Sequence, residues 1–199
     1  MTDIFLQHIK SYLNPKCGYV LGAQGQVMTE HLIDILKCNY SADNRDYFAN
    51  MAKKWINYVC FDCSGMIVYT LQRMSLFNST EDYTAEGLYD QHCIPISRNE
   101  LRSGDLVFNS DLSHVGVYVD GKVIHARGTF YGVVETALFS SFVKFGRLEC
   151  LKGIMTIVEF QKKNKLEIDG LIGPATTKKI FEVLSDDKEI FNKIKEMIK

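Results

Sequence analysis

Residues 104–128 read GDLVFNSDLSHVGVYVDGKVIHARG. Three short runs, GDLVFNS, HVGVYV and KVIHA, are rich in β-branched residues and separated by turn residues, which is how strands are written. Asp120-Gly121, between the second and third runs, is a strong signal for a two-residue hairpin. GVVETAL, residues 132–138, reads as one further strand. The chain before residue 104 reads differently. Ile4, Phe5, Ile9, Tyr12 and Leu13 recur at helical spacing and stop at Asn14-Pro15. Thr29 caps a second helix that carries Leu32, Ile33 and Leu36. Tyr47, Phe48, Met51 and Trp55 mark a third over about 43–57, and a fourth begins at Asp62-Cys63. Helices first and antiparallel strands afterwards predict an α+β domain rather than a wound α/β one.

Within those limits the composition is that of an ordinary globular protein. The 199 residues are 46% hydrophobic and 24% charged, with a formal net charge of -1. So even a balance names neither nucleic acid nor an anionic membrane as a bulk partner. No stretch approaches the ~20 apolar residues that span a bilayer, so no membrane insertion is expected. The opening MTDIFLQHIKSYLNPK lacks the basic stub and apolar core of a secretory signal, which places the chain in the cytoplasm of its host cell before any release. Six cysteines, at 17, 38, 60, 63, 93 and 150, are too sparse for a disulfide framework.

YVCFDCSGMIVYTLQ, residues 58–72, sets two of those cysteines three apart. A structural zinc would need a second couple of ligands, and His92-Cys93 are adjacent rather than spaced. No metal or other cofactor is expected. A redox dithiol would need a β-strand feeding Cys60, and helix and loop are read there instead. The third reading makes Cys63 a lone nucleophile on the first turn of a helix. There, unpaired backbone N–H groups and the positive dipole end favour a thiolate and can hold an oxyanion. Asp62 caps the helix, Ser64-Gly65 leave room for a substrate, and Cys60 is packing. A base must come from elsewhere. Folding the Asp120-Gly121 hairpin brings His114 and His125 onto adjacent strands with a small offset, the arrangement of a base with its orienting partner. Ser113 and Arg127 flank the two histidines, either as substrate contacts or as solvated turn residues.

FDCSGMIVYTL followed by LRSGDLVFNSDLSHVGVYVDGKVIHARG resembles the NlpC family of papain-like cell-wall endopeptidases. That family pairs an Asp-Cys-Ser-Gly nucleophile motif with a Gly-Asp-Leu strand, a His-Val-Gly strand and a polar orienter on the next strand. The resemblance implies Cys63, His114 and His125 as the catalytic set. It also implies cleavage of bacterial peptidoglycan between D-glutamate and a diamino acid. GYVLGA is similar to the family's Tyr-x-x-Gly-Gly/Ala segment, which would put Tyr19 beside the site as an oxyanion donor. About forty residues separate Tyr19 from Cys63, where the family often has around a dozen, so residues 28–57 read as an insertion.

From Gly153 the chain reads as helical again, which predicts a peptidase domain over 1–150 and a small all-helical domain over 151–199. FQKKNKLEIDGLIGPATTKKIF resembles one half of a peptidoglycan-binding module, with Phe160, Gln161, Leu166, Asp169, Gly170, Gly173 and Thr176 in matching order. The apolar stripe Ile190, Phe191, Ile194, Met197 and Ile198 could instead bury against a second copy of the chain. A wall hydrolase with a wall-binding tail and no export signal suggests a phage endolysin. Rival readings are an acyltransferase or amidase on the same scaffold, a thioredoxin-like oxidoreductase using Cys60 and Cys63, and a wall-binding protein without activity.

Overall fold

The computed structural model describes residues 1–151, 161, 164–168 and 173–186. The chain divides into two compact units, Met1–Lys152 and Gly153–Lys199.

The first unit is built on a six-stranded sheet in the order β4-β9-β5-β6-β7-β8. Its strands are β4 (Cys93–Ile96), β5 (Leu106–Phe108), β6 (Val115–Val119), β7 (Lys122–Ala126), β8 (Val133–Ala137) and β9 (Lys144–Leu148). Every neighbouring pair is antiparallel. The expected hairpin is present, with both Asp120 (φ 48) and Gly121 (φ 89) in the left-handed region that a tight turn requires. A smaller sheet joins β1 (Gly18–Tyr19), β3 (Val59–Phe61) and β2 (Gln24–Val27), with β3 in the middle. The helices are α1 (Thr2–Ser11), α2 (Glu30–Leu36), α3 (Arg45–Ala52), α4 (Cys63–Arg73) and α5 (Ala85–His92).

Strand alternation sorts the core. Val115, Val117 and Val119 of β6, with Ile124 and Ala126 of β7, pack on one face against Met66, Ile67 and Leu71 of α4. Val107, Val123, Phe142 and Phe145 form a second cluster on the other face.

The α+β reading holds, with several differences of detail. A strand, β3, precedes the cysteine motif where helix and loop were expected. The third helix ends at Ala52 and continues only as a 3-10 turn over Lys53–Trp55. Strands β4 and β9 and helix α5 were not anticipated. Within the second unit, α6 (Pro174–Asp186) starts at the expected Gly173-Pro174.

Asp105, the acid of the Gly-Asp-Leu motif, has a structural task. Its carboxylate accepts from Arg147 Nε (2.7 Å) and Nη2 (2.8 Å) and from the Arg102 backbone N–H (2.7 Å), tying the turn before β5 to β9. With Asp105 only 3% exposed, removing its charge takes the counter-charge from the guanidinium and leaves it with Glu100 O as its remaining acceptor (2.9 Å). Asp105→Asn is expected to cost about 3 kcal/mol in a urea melt, with an unchanged slope.

Candidate active site

Asp62 caps α4 by accepting from the Gly65 N–H (2.7 Å) and also holds the Gly22 N–H (2.8 Å). Its own N–H donates to Ala23 O at 2.7 Å. A Cβ at position 65 would lie 2.5 Å from that same carbonyl, so only glycine lets the 20–23 turn close on the helix. Ser64 Oγ donates to Asp62 Oδ1 (3.3 Å). Asp62 is the expected cap, and its polar atoms, with the Ser64 hydroxyl, position the first turn of α4.

Cys63 sits at the start of that turn, 7% exposed, with Sγ 4.0 Å from Ser113 O, the carbonyl preceding His114. The sequence reading expected a thiolate made stable by the helix tip. Burial overrides this. Loss of water, with the nearby Asp62 charge, pushes the thiol up to about 11, although the N–H groups of Val115, Ser64 and Cys63 pull the other way. Burial thus favours the thiol over the thiolate at Cys63, against the pull of the helix tip.

The hairpin register sets the two histidines side by side. Val117 pairs with Ile124 and Tyr118 with Val123, so one step outward His125 faces Gly116 and sits diagonally from His114. A Cβ at Gly116 would come within 2.5 Å of Val123 Cγ1 and 3.0 Å of His125 Cβ. The bare backbone of the His-Val-Gly motif is thus what admits the second imidazole. The rings meet through His114 Nε2 and His125 Nδ1 at 2.7 Å, and Phe142 stacks on His114 and meets His125 edge-on.

Hydrogen-bond polarity then follows along the chain of groups. Thr136 Oγ1 donates to Ala137 O (3.0 Å), so it accepts from His125 Nε2 (3.3 Å). His125 Nδ1 is left as an acceptor and takes the His114 Nε2 proton, which frees the lone pair on His114 Nδ1. Burial lowers the pKa of both imidazoles, and the Arg127 charge pushes in the same direction. For both rings this favours the neutral form. Neither Thr136 nor Asn109 was singled out from sequence. Asn109 fixes the turn before β6, accepting from the His114 N–H (2.9 Å) and donating to Ser113 Oγ (2.8 Å).

Ser113 Oγ also donates to Asp111 Oδ1 (2.9 Å), so its hydroxyl is held in this turn and its carbonyl is the atom that meets the thiol. Tyr19 lies on β1, paired with Phe61 two residues before the nucleophile. Burial first, then the nearby Cys63 and Asp62, raise its pKa, so it remains a phenol able to donate. Cys60 belongs to a different cluster from Cys63: it is fully buried with Val20, Trp55 and Met28, and both cysteines are free thiols. This separation, rather than the absence of a strand, argues against a dithiol. In the second unit, Thr176 is buried and accepts from Gln161 Nε2 at 3.1 Å, an interior bond rather than a surface contact. Of the other matched positions there, Phe160, Asp169 and Gly170 lie outside the described residues.

Imidazole 15N spectra are expected to show both rings of the pair protonated at Nε2. Gly116→Ala should cost roughly 2 kcal/mol of stability and disturb those signals, because Val123 and His125 must shift to admit the methyl group.

Residues 44–146 match the family model described as the NlpC/P60 family. Tyr19 lies outside that match. Among curated proteins, murein DD-endopeptidase MepH of Escherichia coli is 36% identical over 89 residues, which is 41% of this chain and 32% of that protein. A probable endopeptidase of Mycobacterium tuberculosis is 35% identical over 77 residues, 37% of this chain and 18% of its own length. The match thus spans about a third or less of these relatives. Among solved structures, NlpC2 of Trichomonas vaginalis has a TM-score of 0.49 at 20% identity, covering 74% of this chain and 46% of that one. RipD of Mycobacterium tuberculosis, described as a non-catalytic NlpC/p60 domain protein adapted to peptidoglycan binding, has a TM-score of 0.44 at 17% identity, covering 73% and 95%. With more than half of its residues inside the family model, and the Asp-Cys-Ser-Gly and His-Val-Gly motifs within that stretch, the chain belongs to the NlpC/P60 family.

Proposed function

We propose that the chain is a cysteine peptidase that cleaves the peptide stems of bacterial peptidoglycan, at the bond between D-glutamate and a diamino acid. The observation that carries this reading is the ordered chain Thr136–His125–His114, which leaves His114 Nδ1 as a free base on the residue next to the carbonyl that the thiol touches. As the sulfur attacks the scissile carbonyl, its proton passes to His114 Nδ1. The imidazolium so formed is held by His125, and the oxyanion is held by the Cys63 N–H with the Tyr19 hydroxyl. His114 then protonates the departing amine, leaving a thioester. Water, deprotonated by the same imidazole, hydrolyses it and restores the thiol.

Two features support the setting. The chain belongs to a family with endopeptidase relatives, and its tail is similar in sequence to a wall-binding module. The proposal therefore extends to a phage or prophage lysin. Co-expression with a membrane-permeabilising holin should lyse a host that tolerates the enzyme alone.

The deciding experiment is digestion of purified sacculi. Wild type should solubilise them and leave a new amine on the diamino acid. Cys63→Ala should abolish release, while Cys60→Ser should keep activity within about twofold, since Cys60 only packs. A new amine on L-alanine would mean an amidase instead. Equal loss in both variants would restore the dithiol reading.

The pH profile is a second test. The base must be neutral to act, and His114 is held below the ordinary imidazole value, so its neutral form persists to lower pH. The acid limb of kcat/KM should fall below about pH 6.5. Thr136→Val should lower kcat by roughly tenfold, and Thr136→Ser should restore it, because only the hydroxyl sets the tautomer.

A further inference from the structure

A cavity of about 250 Å³ opens beside the histidine pair, with Asn109, Arg127, Phe139 and Phe142 among its walls. Asn109 and Phe142 position the imidazoles. Arg127 does neither. Continuing the hairpin register places it across from His114. Its guanidinium lies 4.1 Å from the ring centre of Tyr131 and 5.5 Å from that of Phe139. Among the described residues no carboxylate pairs with it.

The segment that carries it is firmly held. The Arg127 N–H donates to Gly132 O (3.0 Å) and the Val133 N–H to Cys17 O (2.9 Å). Residues between β2 and β3 complete the clamp: Trp55 Nε1 donates to Thr129 O (2.7 Å), Lys54 Nζ to Phe130 O (2.5 Å), and Tyr40 OH meets Thr129 Oγ1 (3.2 Å).

An unpaired cation next to a general base works against the imidazolium that the reaction must form. The arrangement favours catalysis only if the substrate brings a negative charge to cancel it. A guanidinium offers two parallel N–H donors that match a carboxylate, and the aromatic faces beside it restrict its orientation. Resting on the peptidase reading, we infer that Arg127 recognises a free carboxylate flanking the scissile bond of the stem peptide. Two groups share that chemistry, the α-carboxylate of D-glutamate and the carboxylate of the diamino acid.

Calorimetry with the full-length Cys63→Ala protein separates them without turnover. Three L-alanyl-γ-D-glutamyl-diamino acid peptides serve as probes: one with both carboxylates free, one amidated at glutamate, and one amidated at the diamino acid. One amide is expected to bind at least about tenfold more weakly, and which one identifies the recognised group. Adding Arg127→Gln should equalise the peptides, and Arg127→Lys should keep a reduced preference. Equal affinities for all three, no binding at all, or a preference that survives Arg127→Gln would overturn the assignment. If wild type fails to cleave the free peptide while the Arg127-dependent preference persists, the carboxylate site stands and the peptidase reading falls.

Discussion

The site depends on the pairing of β6 with β7. A two-residue turn at Asp120-Gly121 fixes which residues of the two strands meet, and a shift of one position would turn every side chain to the opposite face. In the observed register His125 lies against a glycine and leans toward His114 rather than facing it squarely. That diagonal, and not sequence proximity, brings Nε2 and Nδ1 to 2.7 Å. The apolar alternation of the same strands seats α4, and with it Cys63, on the sheet. One local turn therefore locates both the imidazoles and the surface that supports the nucleophile.

Electrostatics at the site are set by burial more than by the helix end. The first turn of α4 directs N–H groups at the sulfur, yet desolvation and Asp62 leave the thiol protonated, while desolvation also keeps both imidazoles neutral. A neutral pair of this kind stores no separated charge before substrate arrives. In the mechanism proposed above, charge would develop only as the sulfur attacks, among N–H dipoles already in place.

Much of this was legible in sequence because it is local. Asp62 at the cap, the period change near residue 104 and the Asp120-Gly121 turn each act within a few residues. What escaped depends on contacts made far along the chain. β3 has three residues, two of them fully buried, and shows no alternation to read. β4 contains Pro95, which is tolerated because β4 lies at the sheet edge. β9, KFGRL, gains its meaning from Arg147 reaching Asp105 across the sheet. Ser113, read from sequence as a flank of the histidine pair, turns its hydroxyl toward Asp111. Asn109 and Thr136 are unremarkable polar letters until the fold sets them against His114 and His125.

The stretch between β2 and β3 was read from sequence as an insertion; the family match begins at residue 44 and so takes in its second half, including Lys54 and Trp55, which clamp residues 129–130. Trp55, Lys54 and Tyr40 convert what would be a pliant rim into a fixed wall. A rim braced in this way trades the adaptability by which a loose one accommodates varied chemistry for discrimination among closely related ligands. Grafting these helices onto a permissive scaffold, or trimming them from this one, would then alter selectivity without touching any reacting atom.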